Sequence, residues 1–370
     1  MMKDFLEMTD EIAKRISETE NQRSKIGKFL REVDSATNLT LGTEIFEEKI
    51  FQKINPVALD GLRVGGVDGG LVKQSLHGID LILTRAVGVL FEFKGDKLSD
   101  AKYYPQSIPS PIPNIVVDPF SNLEFEVNSN IERMITEAST AAEFVEKFKP
   151  EILFMHGSIV PHYTDKPSKT SLLFPSYQRM IEAYVHLFSI CKDSNTILAG
   201  VIEDSRGTRF CEIVNTQLIS KAEGEIANNI KIILNQTKDT NLLSYALQTG
   251  ERSLLFKYSS NPENHPILNE FGGQVANQIF TFYLKTAEFD RPIRVDFFAN
   301  QGLTPIANRI SSILLPLCGH SGYGIPSVLI EADQRAKLSE DDLEMFYQDL
   351  INKTGNLPGM FLQRREARPF

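Results

Sequence analysis

The order of strand-like and helix-like segments between residues 62 and 204 limits this chain more than any other feature. LRVGGVDGG (62–70) is a short apolar run ending in glycines, HGIDLILTRAVGVLFEF (77–93) is a long β-rich run, and KLSDAKYYPQ (97–106) reads as a third strand. Lys94-Gly95-Asp96 between the last two offers a hairpin turn, where glycine accepts a positive φ without steric cost. Three successive antiparallel strands are expected. PQSIPSPIPNIVVDP (105–119) follows. Each proline there removes an N–H donor, which excludes a central strand or a helix and predicts a loop. The rhythm then changes. Residues 128–148 carry Ile131, Ile135, Ala138, Ala142 and Val145 on one helical stripe, EILFMHGSIV (151–160) is a buried strand, 174–191 is helical, and NTILAGVIED (195–204) is a second buried strand.

Strands alternating with helices imply parallel crossovers. Three antiparallel strands followed by helix–strand–helix–strand is the order of an RNase H-like sheet. The expected fold class is therefore α/β, an RNase H-like mixed sheet with helical N- and C-terminal additions. Residues 4–33 read as a helix, from Phe5, Met8, Ile12 and Ile16 and then Ile26, Phe29, Leu30 and Val33 at helical spacing. It could serve as a packing arm, a dimer contact or a docking helix. Beyond residue 250, RSLLFKYS, QIFTFYLKT and PIRVDFFAN read as strands, and helices are expected over 303–318, 326–337 and 340–353. The expected organisation is an N-terminal helical arm (1–60), a main domain (61–340), and a C-terminal helix with the basic tail QRREARPF (341–370).

Composition narrows the function classes. Of the 370 residues, 42% are hydrophobic and 24% charged, an ordinary globular balance. No apolar run reaches the ~18 residues of a membrane span, and the acidic N-terminus is not a signal peptide. A cytoplasmic protein without a membrane partner is expected. Cys191, Cys211 and Cys318 are scattered and odd in number, which argues for buried thiols rather than a disulfide framework or zinc finger. The net charge of −9 argues against a broad nucleic-acid coat, but leaves room for a local basic groove.

Several residues could carry chemistry. Asp68, at the end of an apolar strand between glycine pairs, is costly to bury unpartnered and could hold a divalent metal, or it could cap an Asp-Gly turn. His156 follows the strand EILFM, at the carboxyl end where ligands of a parallel sheet gather, and would neighbour Asp68 if the two strands pair. On the 128–148 helix, Glu137 is flanked by apolar stripe positions and could face the sheet, while Glu132 and the other glutamates are solvated by default. In GYGIPSVLIEADQRA (322–336), Pro326 suits a first helical turn, with Tyr323 before it and Glu331 and Asp333 inside it. Arg206 and Arg209, after Glu203-Asp204, could bind a phosphate backbone or pair with nearby carboxylates.

GVDGG after a strand, a strand ending in HGS, a strand ending in VIEDS and the late GYGIPSVLIEADQRA together resemble the NurA nuclease family, in the same order and across residues 62–340. The resemblance implies an RNase H-like nuclease that uses manganese or magnesium on single- and double-stranded DNA ends, as a homodimer beside a HerA-type hexameric ATPase in double-strand-break repair. Carried over by position, Asp68 matches the first metal aspartate, Glu137 (with Glu132 as the alternative) the helix glutamate, and Tyr323 the late tyrosine. Three positions depart from the family pattern. His156 stands where an aspartate is expected, Asp333 where a histidine is often found, and Glu203 where a lysine is usual. The implied metal set is Asp68, Glu137, His156 and Asp333, with Tyr323 catalytic and Arg206 and Arg209 on DNA. Two alternatives stay open. One is a NurA-like subunit that binds the translocase and DNA without cutting. The other is an actin- or sugar-kinase-like ATP-binding protein, suggested by GVDGG and Phe271-Gly272-Gly273, although Asp204-Ser205-Arg206-Gly207 replaces the Asp-x-Gly expected there.

Overall fold

A computed structural model describes residues 2–219 and 224–354 of the chain; the tail QRREARPF lies outside the described residues. Two compact units interleave along the sequence. The first comprises Met1–Val57, Ile202–Ser260 and Ile279–Pro326, and the second Ala58–Val201, Asn261–Gln278 and Ser327–Phe370. The first unit opens with helix α1 (Met2–Ala36) and the short strand β1 (Phe51–Lys53). The apolar set of α1 divides along its length. Ile26 and Leu30 are buried, whereas Phe5, Met8, Ile12 and Ile16 are exposed.

The second unit carries the expected mixed sheet. Strand β2 (Arg63–Ser75) pairs antiparallel with β3 (Ile79–Lys94) along its whole length. Strand β4 (Lys97–Tyr104) covers one half of the outer edge of β3, through the Gly95 turn at φ 60°. The proline-rich segment is not wholly a loop. Ile112–Val117 form β5, which covers the other half of that edge, where a missing proline N–H costs no ladder bond. Helix α2 (Asn122–Phe148) starts at a Ser121/Glu124 capping box and stops at Lys149, whose φ of 46° is left-handed. Strand β6 (Ile152–His156) then runs parallel to β2. Helix α3 (Phe174–Asp193) packs on α2, and β7 (Ile197–Ile202) runs parallel to β6. The strand order within the unit is β7-β6-β2-β3-β4.

The first unit resumes with helices that have no counterpart in the sequence reading: α4 (Arg209–Ile213), continued as a π turn over Val214–Ile219, α5 (Glu225–Gln236) and α6 (Asp239–Ala246). Helix α6 meets α1 closely, since a Cβ on Gly27 would lie 3.0 Å from the Tyr245 Cβ. The strands β8 (Glu251–Ser253) and β9 (Phe256–Lys257) follow. Helix α7 (Gly273–Ala276) belongs to the second unit, and the first continues through β10 (Ile279–Leu284), β11 (Ile293–Phe298) and α8 (Leu303–Leu317). Its strand order is β1-β8-β10-β11. Fully buried Arg252 is neutralised by Glu47 through bonds of 2.7 and 2.6 Å. All three cysteines are buried and free, and burial pushes the Cys191 and Cys318 thiols up to about 12.

The second unit closes with α9 (Ser327–Ala336) and α10 (Glu340–Thr354). Glycines decide how helices sit on its sheet. A Cβ on Gly65 or Gly88 would fall 2.6 or 2.5 Å from the Phe144 ring, so these two positions admit α2. A Cβ on Gly66 would lie 2.9 Å from Val328, and one on Gly70 only 2.0 Å from the Ala336 carbonyl oxygen, so these two admit α9. The spans agree, because the helix rises about 12 Å from Val328 to Ala336 and the strand about 13 Å from Gly66 to Gly70. Tyr103 on β4 fastens α9 by donating to Glu331 Oε1 at 2.8 Å, and Arg335 donates to the same oxygen at 2.8 Å. Among the described residues, no helix is long and apolar enough to cross a membrane.

Candidate metal centre

The parallel register fixes the centre of the site. Val64 to Val67 of β2 stand beside Ile152 to Met155 of β6, so the next row sets Asp68 beside His156. Residues in one row of a parallel pair project to the same face. Gly66 and Gly70 flank Asp68 on that face, which is where α9 lies. Asp68 is buried and both of its oxygens are engaged. Oδ1 accepts the Gly69 N–H at 2.7 Å, and Oδ2 is 2.8 Å from His156 Nδ1. An Nδ1 proton donated to Asp68 leaves the imidazole lone pair on Nε2. Helix α9 brings the third group. One ligand atom each from Asp68, His156 and Asp333 lies within 4.8 Å of the others, with Asp68 buried, His156 half-buried and Asp333 exposed.

These donors fit a divalent transition metal. Two carboxylates and one imidazole suit manganese and its neighbours, whereas magnesium favours an all-oxygen shell. The gradation of exposure leaves the Asp333 side open toward solvent.

Glu137 lies next to this group without joining it. Helix α2 carries it to the sheet, where a Cβ on Gly69 would lie 3.2 Å from its Oε2. Arg133, one turn earlier, donates from Nη1 to Oε2 at 2.8 Å. Burial pushes the Glu137 carboxyl up to about 7, and the Asp68 charge adds to that, against the opposing pull of Arg133 and His156. The same carboxylates hold the Arg133 guanidinium above its usual value, Glu137 foremost. Glu132 turns elsewhere and takes a 3.1 Å bond from Arg179 of α3. The geometry thus separates two glutamates that sequence alone left as alternatives.

Tyr323, Glu203, Arg206 and Arg209 belong to the first unit. The Tyr323 hydroxyl donates to Glu203 Oε1 at 2.9 Å, so two of the positions set apart by the family pattern meet each other. Arg209 is engaged by Glu44 and, at 3.3 Å, by Glu212. Arg206 is exposed. Phe271-Gly272-Gly273 ends a short 3-10 turn and opens the four-residue α7.

Sequence reasoning assigned no role to Arg133, Asp165 or Tyr184. They gather beside the middle of α2, where Glu137 and Asp165 both help to hold the Arg133 guanidinium above its usual value and burial pushes the Tyr184 hydroxyl up. Asp165, in a 3-10 turn, accepts from Asn130 at 3.2 Å, and burial raises its carboxyl. The i,i+4 spacing of Arg133 and Glu137 was a usable signal; the arrival of Asp165 from a loop was not.

A family model described as the NurA domain matches residues 62–338 of the chain. Among solved structures, the NurA nuclease from Sulfolobus solfataricus is 17% identical with a TM-score of 0.54, over 93% of this chain and 96% of that one. A crystal structure of NurA gives 9% identity and a TM-score of 0.55, over 95% and 99%. A crystal structure of NurA bound to dAMP and manganese gives 10% identity and a TM-score of 0.54, over 95% and 97%. At these identities the likeness concerns the fold. No curated protein sequence matches the chain significantly.

Proposed function

The chain belongs to the NurA family, its domain model spanning residues 62–338, and from that premise we propose that it is a metal-dependent DNA nuclease acting at DNA ends. The observation that carries this reading is the convergence of Asp68, His156 and Asp333 within 4.8 Å, with buried Glu137 alongside. Asp68, His156 and Asp333 would hold a divalent ion, which would supply a Lewis acid for the phosphodiester and a more acidic attacking water. Asp68 and Asp333 provide the negative charge that draws the cation. The Gly69 N–H fixes the Asp68 carboxylate, and that carboxylate in turn orients the His156 ring. Exposed Asp333 leaves the side on which a phosphate can enter. Manganese is the preferred ion, on the chemistry of the donor set, with magnesium as the weaker alternative.

The wider role follows the family resemblance. We infer that the chain works in the cytoplasm as a homodimer, with a HerA-type hexameric ATPase, in end resection during double-strand-break repair. Tyr323 would help to position substrate, and exposed Arg206 would contact the DNA backbone. The test is cleavage of end-labelled single- and double-stranded DNA with manganese, comparing wild type with Asp68→Ala, with and without the ATPase. Cleavage by wild type that the variant loses supports the reading. No cleavage by wild type under any of these conditions refutes it.

One observation favours a second reading, a NurA-like subunit that binds without cutting. Two groups expected to meet substrate, Tyr323 and Arg209, are held by carboxylates of their own unit. Binding of the ATPase by a chain that takes up no metal would select this reading.

A further inference from the structure

We propose that the cleft between β1 and α8 of the first unit is a phosphate-binding site. None of its residues belongs to the unit that carries Asp68, His156 and Asp333, so the proposal does not rest on the nuclease reading. The cleft has a volume of about 410 Å³, within the size range of ligand sites. Its first wall is Lys53, the last residue of β1, with Asn55 just after it. The chain is pinned there, because the Ile54 N–H donates to the Gly250 carbonyl at 2.9 Å and the Val57 N–H to the Ser312 carbonyl at 3.0 Å. The second wall is one face of α8, made by Pro305, Asn308, Arg309 and Ser312 at helical spacing.

The cleft is rich in donors. Asn308 Oδ1 accepts from Arg252 Nε at 2.9 Å and from Nη2 at 2.6 Å. Arginine only donates, so the carboxamide has a fixed orientation, with its NH2 group turned away from Arg252. Arg252 is itself fully buried and fastened by Glu47, which makes the support of Asn308 rigid. The Asn308 NH2 group, the Lys53 ammonium and the Asn55 carboxamide have no hydrogen-bond or ion-pair partner among the described residues. No carboxylate is among the described residues that line the cleft. Glu251, which faces Lys53 across the β1–β8 ladder, is taken by Arg31 at 2.7 and 3.2 Å. Lys53 and Arg309 therefore set two positive charges in one place on a chain of net charge −9. Cations and N–H donors arriving from two elements match an oxyanion whose oxygens point in several directions, as those of a phosphate do.

The test measures binding of a labelled single-stranded oligonucleotide, and separately of inorganic phosphate, to the full-length protein in EDTA, where neither metal nor cleavage contributes. Asn308→Asp keeps the oxygen that Arg252 needs and turns a second, negatively charged oxygen toward the cleft, so binding is expected to weaken at least tenfold. Lys53→Met is expected to lower the slope of log affinity against log salt concentration by about 0.7, the value for one phosphate contact on a single strand. Gln22→Glu makes the same charge change as Asn308→Asp on an exposed position of α1 and is expected to bind like wild type. A loss read with the oligonucleotide identifies a backbone phosphate as the ligand, and a loss read with inorganic phosphate alone identifies a free phosphate; either supports the site. If Asn308→Asp does not fold, Lys53→Met, at the exposed end of β1, decides the matter. No binding of either probe, wild-type affinity and salt slope in the cleft variants, or an equal loss in Gln22→Glu overturns the proposal, whatever the cleavage assay shows.

Discussion

Replacing Gly70 with alanine tests how the metal ligands are brought together. The added Cβ would lie 2.0 Å from the Ala336 oxygen and 2.8 Å from its carbonyl carbon, and both atoms are backbone that cannot rotate away. Restoring ordinary contact requires the end of α9 to retreat by something on the order of 1 Å. Asp333 moves with it, because its carbonyl accepts the Lys337 N–H at 2.9 Å across that same last turn. Metal ligand distances tolerate only about 0.2 Å, so manganese affinity is expected to fall at least tenfold. Overpacking of this kind costs about 1–3 kcal/mol, which lowers the melting temperature by a few degrees. Calorimetric titration and thermal unfolding measure the two effects. Gly42→Ala is the control, since nothing lies within 4 Å of a Cβ there. A Gly70→Ala protein that binds manganese and melts like wild type would refute the idea that α9 positions Asp333 through its seat on β2.

Three further outcomes are expected. Glu137 has its carboxyl raised from 4.5 to about 7, so between those pH values folding of the metal-free protein takes up a proton. Its contribution is present below pH 4.5 and is lost as pH rises through 7. The stability of wild type relative to Glu137→Gln should therefore fall by roughly 3 kcal/mol across that window in denaturant titrations; a flat difference excludes the buried environment. Arg252→Met strands buried Glu47 and should cost about 3–5 kcal/mol, whereas Arg63→Met, which breaks a 3.1 Å pair with half-buried Glu92, should cost under about 1 kcal/mol. Equal costs would contradict the two burials. Manganese at a hundred times its dissociation constant should stabilise wild type by roughly 2.7 kcal/mol and leave Asp68→Ala unaffected. Equal thermal shifts in the two proteins would remove Asp68 from the site.

Much of the second unit was legible because its signals are local. Alternation of strand and helix, the Gly95 turn and the apolar stripe of α2 each fix a backbone conformation within a few residues, and together they dictate the mixed sheet. The glycines around Asp68 announced close approach, but not of what; Val328 and Ala336 are more than two hundred residues away. Residues 105–119 misled in part, because proline excludes a central strand and permits the edge strand that β5 forms. The helices α4, α5 and α6 escaped notice because they are short and their apolar residues pack against α1, a partner distant in sequence.

The sequence by itself determined the fold class and the order of strands and helices along the second unit, and it supplied the candidate residues of the site. Those depend on periodicity and residue type, which are properties of neighbouring residues. Only the tertiary structure decided that Asp68 and His156 share a row, that α9 brings Asp333 to them, that Glu137 rather than Glu132 reaches the sheet, and that Arg133 holds it there. Each of these is a register or a helix seat, set by long-range packing and by where a Cβ can fit. A chain of residue types does not contain that information until its strands have paired.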